Sequence, residues 1–220
     1  MQEVILNYKL RYHFYTLEIM MQFFLKCSLV IVCILNSFLG FSQKLKEGQL
    51  APTFVVVGAK GDTINIEKLK GKKVFLAFFR YASCPVCNFR MNEIIQNYEA
   101  IQSKGYVFIA VFESSNTTLQ DYLKETEVPF PIIGDPSLEL YKKYGVQRSF
   151  WRMVGSMFNK KTKSNLKEGK VLVKGKNLNR DGNMNRIPAD FLIDKNGKIA
   201  IAYYGKNISD HLPLETILNQ

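Results

Sequence analysis

Histidine is almost missing from this chain, with two among 220 residues, and tryptophan occurs once. Cysteine is scarce at four, and acids are few: 19 Asp and Glu against 30 Lys and Arg leave a formal net charge of +11. No internal repeat is present. The longest apolar run, Cys27 to Phe41, falls short of the roughly 20 residues a spanning helix needs and carries Asn36 and Ser37 inside it. These shortages exclude several functions. A zinc centre wants four Cys or His ligands, which two histidines and scattered cysteines supply poorly. A haem attachment site needs a histidine directly after a Cys-x-x-Cys pair, and the residue after Cys87 is Asn88. The surplus of base suits an anionic partner, but no nucleic-acid motif is present and no nucleic-acid partner is expected.

The N-terminus explains half of the cysteines. Met21-Gln-Phe-Phe-Leu-Lys26 is a short basic start, the apolar run follows, and Gly40 and Ser42 are small residues at −3 and −1 of a cut after Ser42. That is the pattern of an export signal. Residues 1–20 carry charges that fit no such signal, so Met21 is the expected true start, with residues 1–42 an N-terminal extension and signal and 43–220 the folded domain. The protein is expected to be exported, periplasmic or secreted, or membrane-tethered if the signal stays. Cleavage removes Cys27 and Cys33 and leaves Cys84 and Cys87, three residues apart, in an oxidising compartment.

From residue 43 onward the pattern alternates strand and helix. Val74 to Phe79 is apolar at every position, as in a central strand buried on both faces. From Cys84 the apolar residues Cys87, Met91, Ile94, Ile95, Tyr98 and Ile101 recur at helical spacing, up to a stop at Lys104-Gly105. A second buried strand, Tyr106 to Phe112, follows, then a helix near 119–127, a strand at "PFPII" and a short helix in "GDPSLELYKKYGV". "ADFLID" and "KIAIAYY", joined at Asn196-Gly197, form a hairpin, and "SDHLPLETILNQ" reads as a closing helix. The order predicts an α/β fold with a central mixed sheet flanked by helices. The segment at about 146–185 is surplus to that scheme. Between Lys142 and Arg180 there are twelve Lys and Arg and one acid, Glu168. A lid over the cysteines or a solvated face is favoured for it over contact with a membrane surface.

The pair Cys84–Cys87 can bind copper(I) with His211 as a third ligand, form an inert bridge, or exchange electrons. A bridge closing so small a loop stabilises little. Exchange explains the placement. A cysteine at the first turn of a helix faces free backbone N–H groups and the positive end of the helix dipole, which favour the thiolate. Pro85 fits the first helical position without losing a hydrogen bond. Cys84 is then the exposed attacker and Cys87, one turn deeper, the resolving thiol.

Strand–"CPVC"–helix resembles the thioredoxin superfamily. "EGQLAPTFVV", "IEKLKGKKVFLAFFR" and "GDPSLELYKKYGV" are similar to its peroxiredoxin branch, the alkyl hydroperoxide reductase and thiol-specific antioxidant family. The resemblance covers about residues 47–147 and 186–220. It implies a thioredoxin-like fold and a thiol–disulfide oxidoreductase that reduces peroxides or protein disulfides through Cys84 and Cys87, is recharged by an external thiol reductant protein, and requires no cofactor. It also implies a cis-proline at Pro188 that faces the cysteines and offers backbone to an extended substrate. Peroxiredoxins carry Pro-x-x-x-Thr-x-x-Cys; in that register this chain has Arg80, Cys84 and Cys87. Which cysteine attacks, and on which substrate, is left open. Arg80 either stabilises a thiolate or bound peroxide electrostatically or is a solvent-facing charge ending a strand. The alternative function is a thioredoxin-fold copper carrier built on Cys84, Cys87 and His211.

Overall fold

A computed structural model describes residues 20–22, 24, 26, 28, 43–176 and 178–219. Chain contacts divide the molecule into residues 1–43 and 44–220. Of the first unit, the described residues between 20 and 28 are helical. Residues 29–42, with most of the apolar run and the cut after Ser42, lie outside the described residues, as do Cys27 and Cys33. No helix among the described residues is long and apolar enough to cross a membrane.

In the second unit a small antiparallel pair, β1 (Val55–Val57) and β2 (Thr63–Asn65), leads into a single 3-10 turn at Ile66–Leu69. The main sheet has five strands in the order β5-β4-β3-β6-β7, formed by β3 (Lys73–Phe78), β4 (Tyr106–Phe112), β5 (Ile132–Gly134), β6 (Ala189–Ile193) and β7 (Ile199–Tyr204). Strands β3, β4 and β5 run parallel, while β6 is antiparallel to both β3 and β7. The mixed sheet is the expected one.

β3 is buried on both faces because it is central, and its residues divide between two cores. Phe75 and Ala77, with Phe79 just past the strand, join one cluster with the cysteines; Val74, Leu76 and Phe78 join the other. β4 alternates likewise, Phe108, Ala110 and Phe112 against Ile109 and Val111. A strand places successive side chains on opposite faces, so an apolar residue at every position seals both layers. The hairpin β6–β7 turns at Gly197, whose φ of 77° is open to glycine and strained for a residue with a Cβ.

Seven helices are labelled along the unit. They are α1 (Pro85–Gln96), α2 (Tyr98–Ser103), α3 (Asn116–Glu125), α4 (Glu139–Lys143), α5 (Phe150–Ser156), α6 (Lys160–Val173) and α7 (Glu215–Leu218). Two differ from expectation. The single helix predicted from Cys84 to Lys104 is broken at Asn97, whose side-chain amide donates to the Glu93 carbonyl at 2.8 Å and competes with the helix ladder. The closing helix shrinks to α7. Asp210 is taken up by the Tyr203 hydroxyl at 2.8 Å and the Lys206 N–H at 2.7 Å, which holds the residues before Pro213 in a loop.

The surplus segment is largely helical. Ser149 caps α5 by accepting from the Arg152 N–H at 3.3 Å, and Asn159 caps α6 by accepting from the Thr162 N–H at 2.9 Å. α6 lies across α1 at van der Waals contact of the backbones. A Cβ added at Gly169 would sit 2.0 Å from the Pro85 carbonyl oxygen, so only a glycine permits this crossing.

Candidate active site

The site forms where β3 gives way to α1. Parallel strands end their run on this side, and the crevice beyond their carboxyl ends is where such sheets carry function. The turn from Tyr81 to Cys84 is fixed from several directions. The Cys84 N–H donates to the Tyr81 carbonyl at 3.0 Å, and the Ala82 N–H donates to Ser114 Oγ at 2.8 Å. Asn88 Nδ2 donates to the carbonyls of Ala82 at 2.7 Å and Cys84 at 3.0 Å. Cys84 is the N-cap of α1 and Pro85 its first residue, as the sequence implies.

Cys84 and Cys87 are free thiols with 0% and 1% of their surface exposed. The expectation of an exposed attacker is therefore corrected: the surplus segment covers it. Leu166 of α6 and Leu178 pack against the core cluster that contains both cysteines. Ser83 Oγ donates to the Asn179 carbonyl at 3.2 Å, and Arg80 Nη2 donates to the Met184 carbonyl.

The two sulfurs are electrostatically unequal. Burial pushes the Cys84 thiol up, but a hydrogen bond from the Cys87 thiol, the Arg80 charge and the N–H groups of Cys87 and Val86 outweigh it, and the group settles at about 7. Arg80 Nη1 donates to Cys84 Sγ at 3.3 Å, from a side chain with 5% of its surface exposed. Its guanidinium carbon lies 5.2 Å from the centre of the Tyr81 ring. Of the two expectations for Arg80, the structure therefore has the one in which it faces a sulfur, and not the solvent-facing one. Cys87 moves the other way. Burial, and a proton shared with the Cys84 sulfur, raise its thiol well above the ordinary value. The lowered value favours the Cys84 thiolate at neutral pH more than in a free thiol.

Two further groups, not singled out by sequence, shape this crevice. Glu113, at the end of β4, is 2% exposed and pairs with the Arg186 guanidinium. Its other oxygen accepts from the Asn183 N–H at 2.5 Å and from Asn183 Nδ2 at 3.1 Å. Asp181 accepts from the Ser115 N–H at 3.1 Å and from Ser114 Oγ. Together they tie the return of the surplus segment to the floor of the site. The signal was available: "FESSN" places a carboxylate and two hydroxyls at the carboxyl end of a buried parallel strand.

Pro188 departs from expectation. No cis peptide bond occurs among the described residues, so the bond before Pro188 is trans. The flanking polar groups are also occupied. The Ile187 N–H donates to the Gln147 carbonyl at 3.2 Å, and the Pro188 carbonyl accepts from the Gly205 N–H at 3.0 Å. With Arg148 joined to Arg186 by an isolated antiparallel bridge and the Ser149 N–H on the Asn185 carbonyl at 2.8 Å, residues 147–149 are held alongside 185–187. Pro188 lines a cleft with Lys44, Gln147, Arg148, Ser149, Arg152 and Tyr204.

His211 is not a partner of the cysteines. Its Nδ1 lies 2.9 Å from an Asp190 oxygen, the other Asp190 oxygen accepts from the Leu212 N–H at 2.6 Å, and its ring lies 5.0 Å from that of Phe79. Among the described residues no three His, Cys, Asp or Glu side chains are grouped to hold a metal. The ligand set of the copper alternative is therefore not assembled, because Asp190 claims the imidazole for the wall of the sheet.

The sequence profile of the AhpC/TSA family matches residues 48–202. The chain is similar to the thiol-disulfide oxidoreductase ResA of Bacillus cereus, 30% identical over 127 residues that cover 53% of this chain and 73% of that protein. It is also similar to ResA of Bacillus subtilis, 29% identical over 124 residues covering 54% and 69%. Among solved structures, the peroxidoxin BcpB of Mycobacterium tuberculosis superposes with a TM-score of 0.57 at 14% identity, covering 80% of this chain and 95% of that one, which shows a shared thioredoxin-like fold. The chain belongs to the AhpC/TSA family of the thioredoxin superfamily and is an enzyme, a thiol–disulfide oxidoreductase.

Proposed function

We propose that Cys84 is the attacking nucleophile, Cys87 the resolving thiol, and a protein disulfide the substrate. The carrying observation is the Arg80 Nη1–Cys84 Sγ contact at 3.3 Å, which places a fixed cation on one sulfur of the pair. In peroxiredoxins the residue in the register of Cys87 meets peroxide. Here that thiol is held protonated while Cys84 is shifted toward the thiolate, which favours exchange through Cys84 over peroxide reduction.

The Cys84 thiolate attacks one sulfur of the substrate disulfide, breaks the S–S bond and expels the other sulfur as a thiolate, leaving a mixed disulfide. Cys87 then attacks Cys84 Sγ, its proton passes to a departing substrate sulfur, and a Cys84–Cys87 disulfide closes. The substrate gains two electrons and two protons, and an external dithiol protein returns them to the enzyme. Arg80 stabilises Cys84 as attacker and, in the reverse step, as leaving group.

The surplus segment acts in this reading as a roof that must lift. Residues 147–149 occupy the edge beside Ile187 and Pro188, and lifting them would free the Ile187 N–H for an extended substrate. Pro188 contributes to substrate binding in that opened state. The protein works outside the cytoplasm, periplasmic or secreted, after removal of residues 1–42. Mass spectrometry of the mature N-terminus checks that cut; a chain still beginning at Met1 or Met21 would refute it.

The test is single-turnover kinetics of the reduced enzyme with an excess of a protein disulfide or of hydrogen peroxide. The disulfide is expected to oxidise the pair faster, with Cys87→Ser accumulating a mixed disulfide through Cys84. Faster oxidation by peroxide, with a sulfenic acid on Cys87 in Cys84→Ser, would overturn the assignment.

A further inference from the structure

α5 is amphipathic in the inverted sense. At 100° per residue Phe150, Trp151, Val154, Met157 and Phe158 fall within an arc of about 120° on the helix and the turn that continues it. That arc faces outward: Trp151 is 80% exposed, Phe158 78%, Met157 66% and Phe150 56%. The polar face is the one seated on the domain. Arg152 Nη1 donates to the Gly205 carbonyl at 3.3 Å, and Ser156, 1% exposed, accepts at Oγ from the Ile208 N–H at 3.0 Å. A helix packed for stability alone buries its apolar stripe; this one buries a serine and presents an indole. The Phe150 and Trp151 rings meet edge to face with centres 5.5 Å apart and form a wedge.

The surroundings indicate what the wedge meets. Arg148, Lys160, Lys161 and Lys163 are exposed beside it, and no acid occurs between Glu139 and Glu168. A convex aromatic ridge rimmed by cations fits a flat, deformable, negatively charged layer. Aromatic rings settle at the headgroup boundary while lysine stems extend their ammonium groups to the phosphates. We infer that α5 and the turn after it dock the protein on the surface of a membrane bearing anionic phospholipids. This attachment is separate from the thiol chemistry and does not depend on which substrate is reduced.

Trp151 is the sole tryptophan of the chain, so its emission reports this face alone. The full chain is mixed with vesicles of phosphatidylglycerol and phosphatidylcholine, or of phosphatidylcholine only, each also prepared with brominated acyl chains. The anionic vesicles are expected to shift Trp151 emission to the blue and brominated chains to quench it. Half-saturation should need about tenfold more lipid in Lys160→Glu/Lys161→Glu and should likewise rise in Met157→Ser/Phe158→Ser. Turnover of a soluble disulfide should be unchanged in both variants. Emission unaffected by anionic vesicles, or shifted equally by phosphatidylcholine alone, would overturn the inference. So would a blue shift that appears without lipid as protein concentration rises, accompanied by dimers in sedimentation, which would assign the ridge to a second copy of this chain.

Discussion

The floor and the roof of the active site are built on opposite principles. The floor, β3, β4 and α1, is apolar and interlocked: Phe79 stacks on Phe112 at 4.8 Å between ring centres, and Phe75 meets Phe108 edge to face at 4.7 Å. The roof is cationic and rests on a glycine crossing, two leucines and a set of polar ties to Glu113, Ser114 and Ser115. Side-chain packing of the first kind gives a single rigid arrangement. Hydrogen bonds exchanged with water contribute about 1 kcal/mol each, so the second kind can open locally at modest cost. Under the proposed function the contrast separates chemistry from access: the floor would set the reactivity of Cys84, and the roof would set when a substrate reaches it.

The largest test of that division removes the proposed nucleophile. Cys84→Ser should reduce disulfide exchange to the uncatalysed background while leaving the unfolding free energy within about 1 kcal/mol of the parent. Retained turnover would move the chemistry elsewhere. Next comes the tie between floor and roof. Glu113→Ala leaves the Arg186 guanidinium buried without its partner, and denaturant unfolding should show a loss of about 3–5 kcal/mol; a loss below about 1 kcal/mol would mean the pair is not holding the roof's return. Arg80→Met should raise the apparent Cys84 pKa by about one unit and slow alkylation at pH 7 several-fold. Its effect should vanish above pH 9, where the thiol ionises unaided.

Two glycines of the roof give the smallest and most discriminating pair. Gly169→Ala must push α6 off the Pro85 carbonyl, so it should cost about 1–3 kcal/mol and speed labelling of Cys84. Gly155→Ala, in α5 with nothing within 4 Å of the added carbon, should instead stabilise by about 0.5–1 kcal/mol and leave labelling alone. Equal effects at the two positions would break the distinction between a seated and an exposed part of the roof.

The floor was legible in sequence because its rules are local. An apolar residue at every position from Val74 to Phe79 fits a central strand buried on both faces, and a proline after Cys84, ahead of a helical apolar pattern, fits a first helical residue that makes Cys84 the cap. The family resemblance reinforced both. What escaped depends on contacts far apart in the chain. Cys84 is buried by residues some 80 positions later, which no local pattern encodes. Asp190 captures His211 across 21 residues, and Gln147 takes the Ile187 N–H across 40. Arg80 was undecidable in isolation, since a charge ending a strand can face either water or a sulfur.

The proposed chemistry turns on an inequality between two neighbouring thiols, and the pH dependence of their alkylation measures it directly. Reduced protein is pulsed with iodoacetamide between pH 5 and 10, and each cysteine is quantified by peptide mass spectrometry. Cys84 should be modified first, with a half-maximal rate near pH 7, and Cys87 should stay unmodified across the range. Two thiols labelled at equal rates, with a common midpoint near the free value of about 8.5, would contradict it.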